Sequence, residues 1–292
     1  MKKMFHIILI LAVFAIMVFS LGTTVISPPK PVNDMSGSGT PGDPYIIYDV
    51  YDLQAMENGL TAHYALGGDI DASATSGWND GAGFDPIGGF VSGHPELVFS
   101  GSFDGRGFTI SGLFINRPDF GPLDEAGLFG RIEGATIHDV GLINANINGN
   151  EKVGILAGSA LHSTISACYT TGQVTSIPNY GRYIGGLIGM AVSVSISDCY
   201  STAVVTGNAC GGLVGWTHSG TTVSRCYATG PVTGGVPGSP GAWNIGGLIG
   251  QGEDTLNEGC FASGDVWAHG DFQQFPIATH RVMFRDTTAL GA

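Results

Sequence analysis

Apolar residues in this chain come in short runs, and glycine keeps interrupting them. A helical repeat protein needs long stretches of helix formers at 3.6-residue period. The runs here are brief and rich in Ile, Val and Thr, which reads as strands. One string orders them. Gly-Leu-x-Gly stands at Gly127-Leu128-Phe129-Gly130, Gly186-Leu187-Ile188-Gly189, Gly212-Leu213-Val214-Gly215 and Gly247-Leu248-Ile249-Gly250. A degenerate copy reads Gly154-Ile155-Leu156-Ala157, and the five starts are 27, 32, 26 and 35 residues apart. Thirteen or fourteen residues after each start comes Val140, Cys168, Cys199, Cys226 or Cys260. Three residues before those positions stand Ile137, Ile165, Ile196, Val223 and, out of pattern, Asn257. Six residues after the four cysteines come Val174, Val205, Val232 and Val266.

A constant part with one variable loop per repeat predicts an all-β parallel β-helix. Each repeat is one coil of about three short strands, stacked on the next at about 4.8 Å. Equivalent side chains then lie above one another. That accounts for the Leu, Cys and Val columns together, with Leu128, Ile155, Leu187, Leu213 and Leu248 expected in one buried stack. Glycine suits the corners, where positive φ is common.

The chain resembles the GLUG-motif repeat family, named for that string. The resemblance spans about residues 39 to 267 and includes Gly39-Thr40-Pro41-Gly42-Asp43-Pro44-Tyr45, Pro86-Ile87-Gly88 and Phe99-Ser100-Gly101-Ser102-Phe103-Asp104-Gly105-Arg106-Gly107-Phe108. It implies an exported, cell-surface, right-handed β-helix of the kind found in adhesins and in non-catalytic parts of large surface proteases. The family motif carries no agreed catalytic residue, so none is transferred.

Lys2 and Lys3 precede an uncharged run from Ile7 to Leu21. This is the layout of a secretory signal, with an uncleaved membrane anchor as the alternative. The expected organisation is a signal or anchor at 1–27, a linker at 28–42, the β-helix at 43–270 with repeats at about 126–267, and a tail at 271–292. Val50, Leu53, Met56 and Leu60 fit one short helix behind Asp49 as N-cap. That helix would plug the open N-terminal coil.

Charge narrows the partners. There are 11 Lys and Arg against 24 Asp and Glu, a formal net charge of −13. Nucleic acid is therefore excluded as a partner, since few cations are present to replace counterions. A membrane contact would run only through the N-terminal segment.

No phosphate loop, His-Glu-x-x-His or serine nucleophile elbow occurs. No catalytic residue is assigned and no cofactor is implied. Ca²⁺ is the one ion left open, at Asp69, Asp71, Asp80 and Asp85 around an irregular loop, against solvated turns as the plainer reading. The five cysteines read as buried thiols, because in-register neighbours suit disulfide geometry poorly. Tyr169, Tyr200, Tyr227 and Phe261 each follow a ladder cysteine. With the cysteine inward, strand alternation turns the aromatic outward. The column is either ring packing or a recognition face. Tyr180, Tyr183 and Trp243, on or beside the variable loops, form a second candidate patch. The expected function is a secreted or cell-surface, adhesion-like binding module for glycan or protein. A polysaccharide lyase or hydrolase on the same fold, and a plain spacer, are the alternatives.

Overall fold

The computed structural model describes residues 34–89, 97–118, 125–176, 182–235 and 244–268, and the backbone of 282–285. The described chain is an all-β parallel solenoid with one short helix. Residues 1–33, with the expected leader, lie outside the described residues. No helix among the described residues is long and apolar enough to cross a membrane.

Each repeat contributes to four strand stacks in turn. In one coil these are Lys152–Gly154, Ala157–Leu161, Thr164–Ser166 and Tyr169–Ser176. The next coils continue as Ile184–Gly185, Ile188–Val192, Ser195–Ser197 and Tyr200–Ser201 with Val204–Gly207, then Cys210–Gly211, Val214–His218, Thr221–Ser224 and Tyr227–Ala228 with Val232–Gly234. Among the described residues the first and second stacks hold five strands each, the third nine and the fourth eleven. Every strand pairing between coils is parallel. Four stacks replace the expected three because the Gly-Leu pair breaks one run into two strands, as between Gly185 and Ile188.

The register corrects one expectation. Ala157 stands opposite Phe129 and Ile188. Leu156, not Ile155, is therefore the counterpart of Leu128, Leu187, Leu213 and Leu248, and Gly158 takes the place of the closing glycine. Leu128, Leu156, Leu187 and Leu213 are fully buried, while Leu248 in the last repeat is only half-buried. The Ile137–Ile165–Ile196–Val223–Asn257 and Val174–Val205–Val232–Val266 columns hold as read.

Glycine acts in two ways. Gly107, Gly112, Gly134, Gly220 and Gly259 take positive φ at turns, as expected, and comparable corners are held by Asp139, His162, Ala167, Ser193, Asp198, Ser219 and Arg225 at φ between 47° and 56°. The motif glycines have no positive φ; they permit close approach. A Cβ on Gly215 would sit 2.3 Å from the Tyr183 carbonyl carbon and 2.4 Å from the Ile184 nitrogen. A Cβ on Gly185 would meet the Ile188 carbonyl oxygen at 2.0 Å. The first and second stacks thus touch backbone to backbone, and any side chain there would push them apart.

The N-terminal end is capped as expected. Val50–Ala55 is α-helical and runs into a 3₁₀ turn, Met56–Asn58. Asp49 accepts hydrogen bonds from the Tyr51 and Asp52 N–H groups at 2.9 and 2.8 Å. Leu53 and Met56 are fully buried. Part of the expected linker is folded: Met35 enters the core, and the Ile46 N–H donates to the Ser36 carbonyl at 2.9 Å. The expected tail also contributes, since Val282–Arg285 pairs with Thr255–Glu258.

Candidate functional site

The outer aromatic column forms on the fourth stack. Tyr169, Tyr200, Tyr227 and Phe261 stand directly opposite one another. Their ring centroids are 5.0, 4.7 and 5.0 Å apart, with interplanar angles of 6°, 1° and 7°. That spacing is the strand spacing itself, so register imposes the stack. The preceding cysteines point inward and are buried. Below Tyr169 the column ends on Gly141, where a Cβ would lie 2.3 Å from the Tyr169 ring. The inner ring faces are consequently spent on each other. What remains open is a row of ring edges and phenol groups, and the outer side of Phe261, which is 45% exposed. Burial, and then the neighbouring phenols of Tyr227 and Tyr169, push the Tyr200 hydroxyl above its ordinary pKa.

Of the second patch, Tyr180 and Trp243 lie outside the described residues. Tyr183 stacks on Trp216, centroids 4.7 Å apart, and Trp216 meets the His218 ring edge at 5.0 Å. Trp216 and His218 were not singled out from the sequence. The signal was their alternation after the motif glycine, at Gly215-Trp216-Thr217-His218, which turns both outward.

The four candidate metal carboxylates do not converge. Asp69 accepts from the Thr109 N–H and hydroxyl at 2.8 and 3.0 Å. Asp71 accepts from the Ser73 N–H at 2.9 Å, and its pKa is lowered by the Ser73 side chain first and by that N–H second. Asp80 lies in a left-handed turn, φ 54°. Asp85 pairs with Arg117 and accepts from the Asn79 amide at 3.0 Å. Among the described residues the one group whose ligand atoms all lie within 4.8 Å is Asp104, His138 and Asp139. His138 Nδ1 lies 2.9 Å from Asp139 and 3.5 Å from Asp104. Asp104 also accepts the Arg106 N–H at 2.8 Å, so it is equally a corner-forming residue.

At the N-terminal end Glu57 lies close enough to Asp85 to feel its charge, and Asp85 pairs with Arg117. Gln54 donates to Glu57 at 3.3 Å and to the Asp85 carbonyl at 3.0 Å. Burial, and then the charge of Asp85, push the Glu57 carboxyl above its ordinary range. A Ser–Lys–Glu group also forms: Ser159 donates to Glu125 at 2.7 Å, with Lys152 3.6 Å away. Ser159 is fully buried, so no substrate reaches its hydroxyl in this structure.

No family model matches the chain. Halomucin of Haloquadratum walsbyi is 44% identical over 146 residues, covering 48% of this chain. A protein of Evansella cellulosilytica described as a Gly-rich membrane protein is 36% identical over 100 residues, 32% of this chain. The chain spans only 2% and 11% of the length of these two relatives. Among solved structures, a Bacteroides ovatus protein described as an immunoglobulin A1 protease matches with a TM-score of 0.51 at 18% identity, over 80% of this chain and 85% of that one. A second, an IgA1 protease, matches with a TM-score of 0.54 at 19% identity, over 75% of this chain and 16% of that one. At such identities the likeness is one of fold.

Proposed function

We propose that this solenoid is a binding, adhesion-like module of a secreted or cell-surface protein of the Gly-Leu-x-Gly repeat family, without catalysis of its own. Its ligand is a glycan or protein that runs along the fourth stack. The observation carrying this reading is the outward column of Tyr169, Tyr200 and Tyr227 at strand spacing. Three phenols in line offer donors and acceptors at a fixed repeat, on side chains that lose little entropy when they bind. The sequence similarities to halomucin and to a protein described as a membrane protein support a place at or outside the cell surface.

The test is a glycan array read with and without Ca²⁺, followed by Tyr→Phe and Tyr→Ala changes at all three positions. Phenylalanine keeps the stack and removes the hydroxyls. Loss of binding in the triple Phe variant, with the thermal midpoint retained, supports hydroxyl recognition. Full binding by a folded triple Ala variant overturns it.

A second reading rests on Glu57, whose carboxyl is pushed up by burial and by the neighbouring charge of Asp85, because a raised acid beside a second carboxylate is the pair a glycoside hydrolase uses. Turnover of an array hit that disappears in Glu57→Gln, with binding retained, would establish it.

A further inference from the structure

The N-terminal end carries a surface of a different character from the tyrosine column. Tyr48 and Tyr51 are 63% and 41% exposed. The Tyr51 ring lies 5.3 Å from Trp78, which is half-buried and stacks on the buried Phe84 at 6.3 Å. One side of this platform is therefore anchored in the core and the other faces solvent. Tyr48 stands two residues before the helix that carries Tyr51, its ring against Gly67, where a Cβ would come within 2.3 Å.

The charge of the segment that builds the platform has one sign. From residue 34 to residue 105 the chain holds eleven Asp and Glu and no Lys or Arg. Asp49, Asp69, Asp71 and Asp80 are exposed. Asp49 is two residues before Tyr51, and Asp80 is two residues after Trp78. Arg117 reaches this end from outside the segment, and its charge is engaged by Asp85.

We propose that this end docks a cationic partner, an exposed lysine- or arginine-rich segment of another protein. An anionic partner would be repelled by the carboxylates. A neutral apolar one would desolvate them without compensation. A basic side chain satisfies both features, with its stem on the rings, its charge over their faces and the carboxylates around it. Single-sign potential also steers such a partner on approach. The surface is separate from the tyrosine column, so each stands or falls alone.

The experiment measures the anisotropy of a labelled oligolysine peptide against the whole chain, with oligoglutamate as the counter-probe. Binding to oligolysine alone is expected, weakening as ionic strength rises to about 0.15 M. Tyr48→Ala and Tyr51→Ala should each weaken it about two- to five-fold, the size of one exposed cation–π contact. Asp71→Asn with Asp80→Asn should weaken it further, and Leu256→Ala, at an exposed position far along the solenoid, should leave it unchanged. Tyr51→Phe, which keeps the ring, should retain binding and so separates recognition from folding. Affinity that follows net charge alone, unmoved by either tyrosine change in folded protein, overturns the proposal. Equal binding of oligoglutamate also overturns it.

Discussion

The backbone N–H of Cys168 donates to the sulfur of Cys199, one coil further on, at 3.4 Å. The same contact recurs from Cys199 to Cys226 and from Cys226 to Cys260, each at 3.4 Å. Each of these residues follows, or lies next to, a tight corner between the third and fourth stacks. Cysteine suits the place because it is apolar enough for the core and still supplies an acceptor. Valine would fill the volume and leave an amide unpaired.

Removing one acceptor should therefore cost more than its volume. Cys199→Val should destabilise by about 1–3 kcal/mol through the orphaned Cys168 N–H. Chemical denaturation of the variant checks this, with Cys168→Val as the comparison.

The thiols should stay reduced and closed to reagents. All five cysteines are unpaired and buried. Burial pushes Cys210 up to about 12 from 9.0. Cys226 also rises to about 12, through the Cys199 thiol hydrogen bond first and burial after it. Between pH 9 and 12 the unfolded thiols have lost protons that the folded ones keep. Stability is then complete below pH 9 and falls as pH rises towards 12. Thiol labelling against pH, with and without denaturant, reads both effects; rapid labelling of native protein at neutral pH would contradict them.

Gly215→Ala should be far more damaging than Gly68→Ala. The first places a Cβ 2.3 Å from the Tyr183 backbone, and the second meets nothing within 4 Å. Overpacking against side chains costs about 1–3 kcal/mol, and backbone yields less readily. Leu213→Ala, a cavity in the same coil, should cost about 2–5 kcal/mol. Thermal midpoints of the three variants give the order.

In the aromatic column, Tyr200→Ala loses two ring partners at once, and Tyr169→Ala loses one. At about 0.5–1.5 kcal/mol per aromatic pair, the first change should be about twice as costly. Tyr200→Phe should be close to neutral. Urea titrations distinguish the three.

The helical cap can be tested by Asp49→Ala. Loss of its two N–H contacts should cost about 1 kcal/mol. Asp49→Asn, which keeps a capping oxygen, should recover most of it.

The repeated spacing determined the parallel β-helix, the Cys, Ile and Val columns and the outward tyrosines, and the local pattern of Val50, Leu53 and Met56 behind Asp49 determined the capping helix. Each of these is a periodic or local property, and stacking at a fixed rise turns spacing directly into contact. Other features only the tertiary structure decided. Leu156 displaced Ile155 because hydrogen-bond register counts strand partners, and a string comparison cannot see a one-residue difference in a turn. The motif glycines proved to answer a contact between Gly215 and the Tyr183 backbone rather than a positive φ, and that contact joins residues distant along the chain. Asp69, Asp71, Asp80 and Asp85 looked like one cluster in the sequence, but each turned to a different local partner. Asp104 with His138, Glu57 with Asp85, and Tyr183 with Trp216 came together instead. Their separation along the chain is set by loop lengths, and only the folded coils bring them within reach.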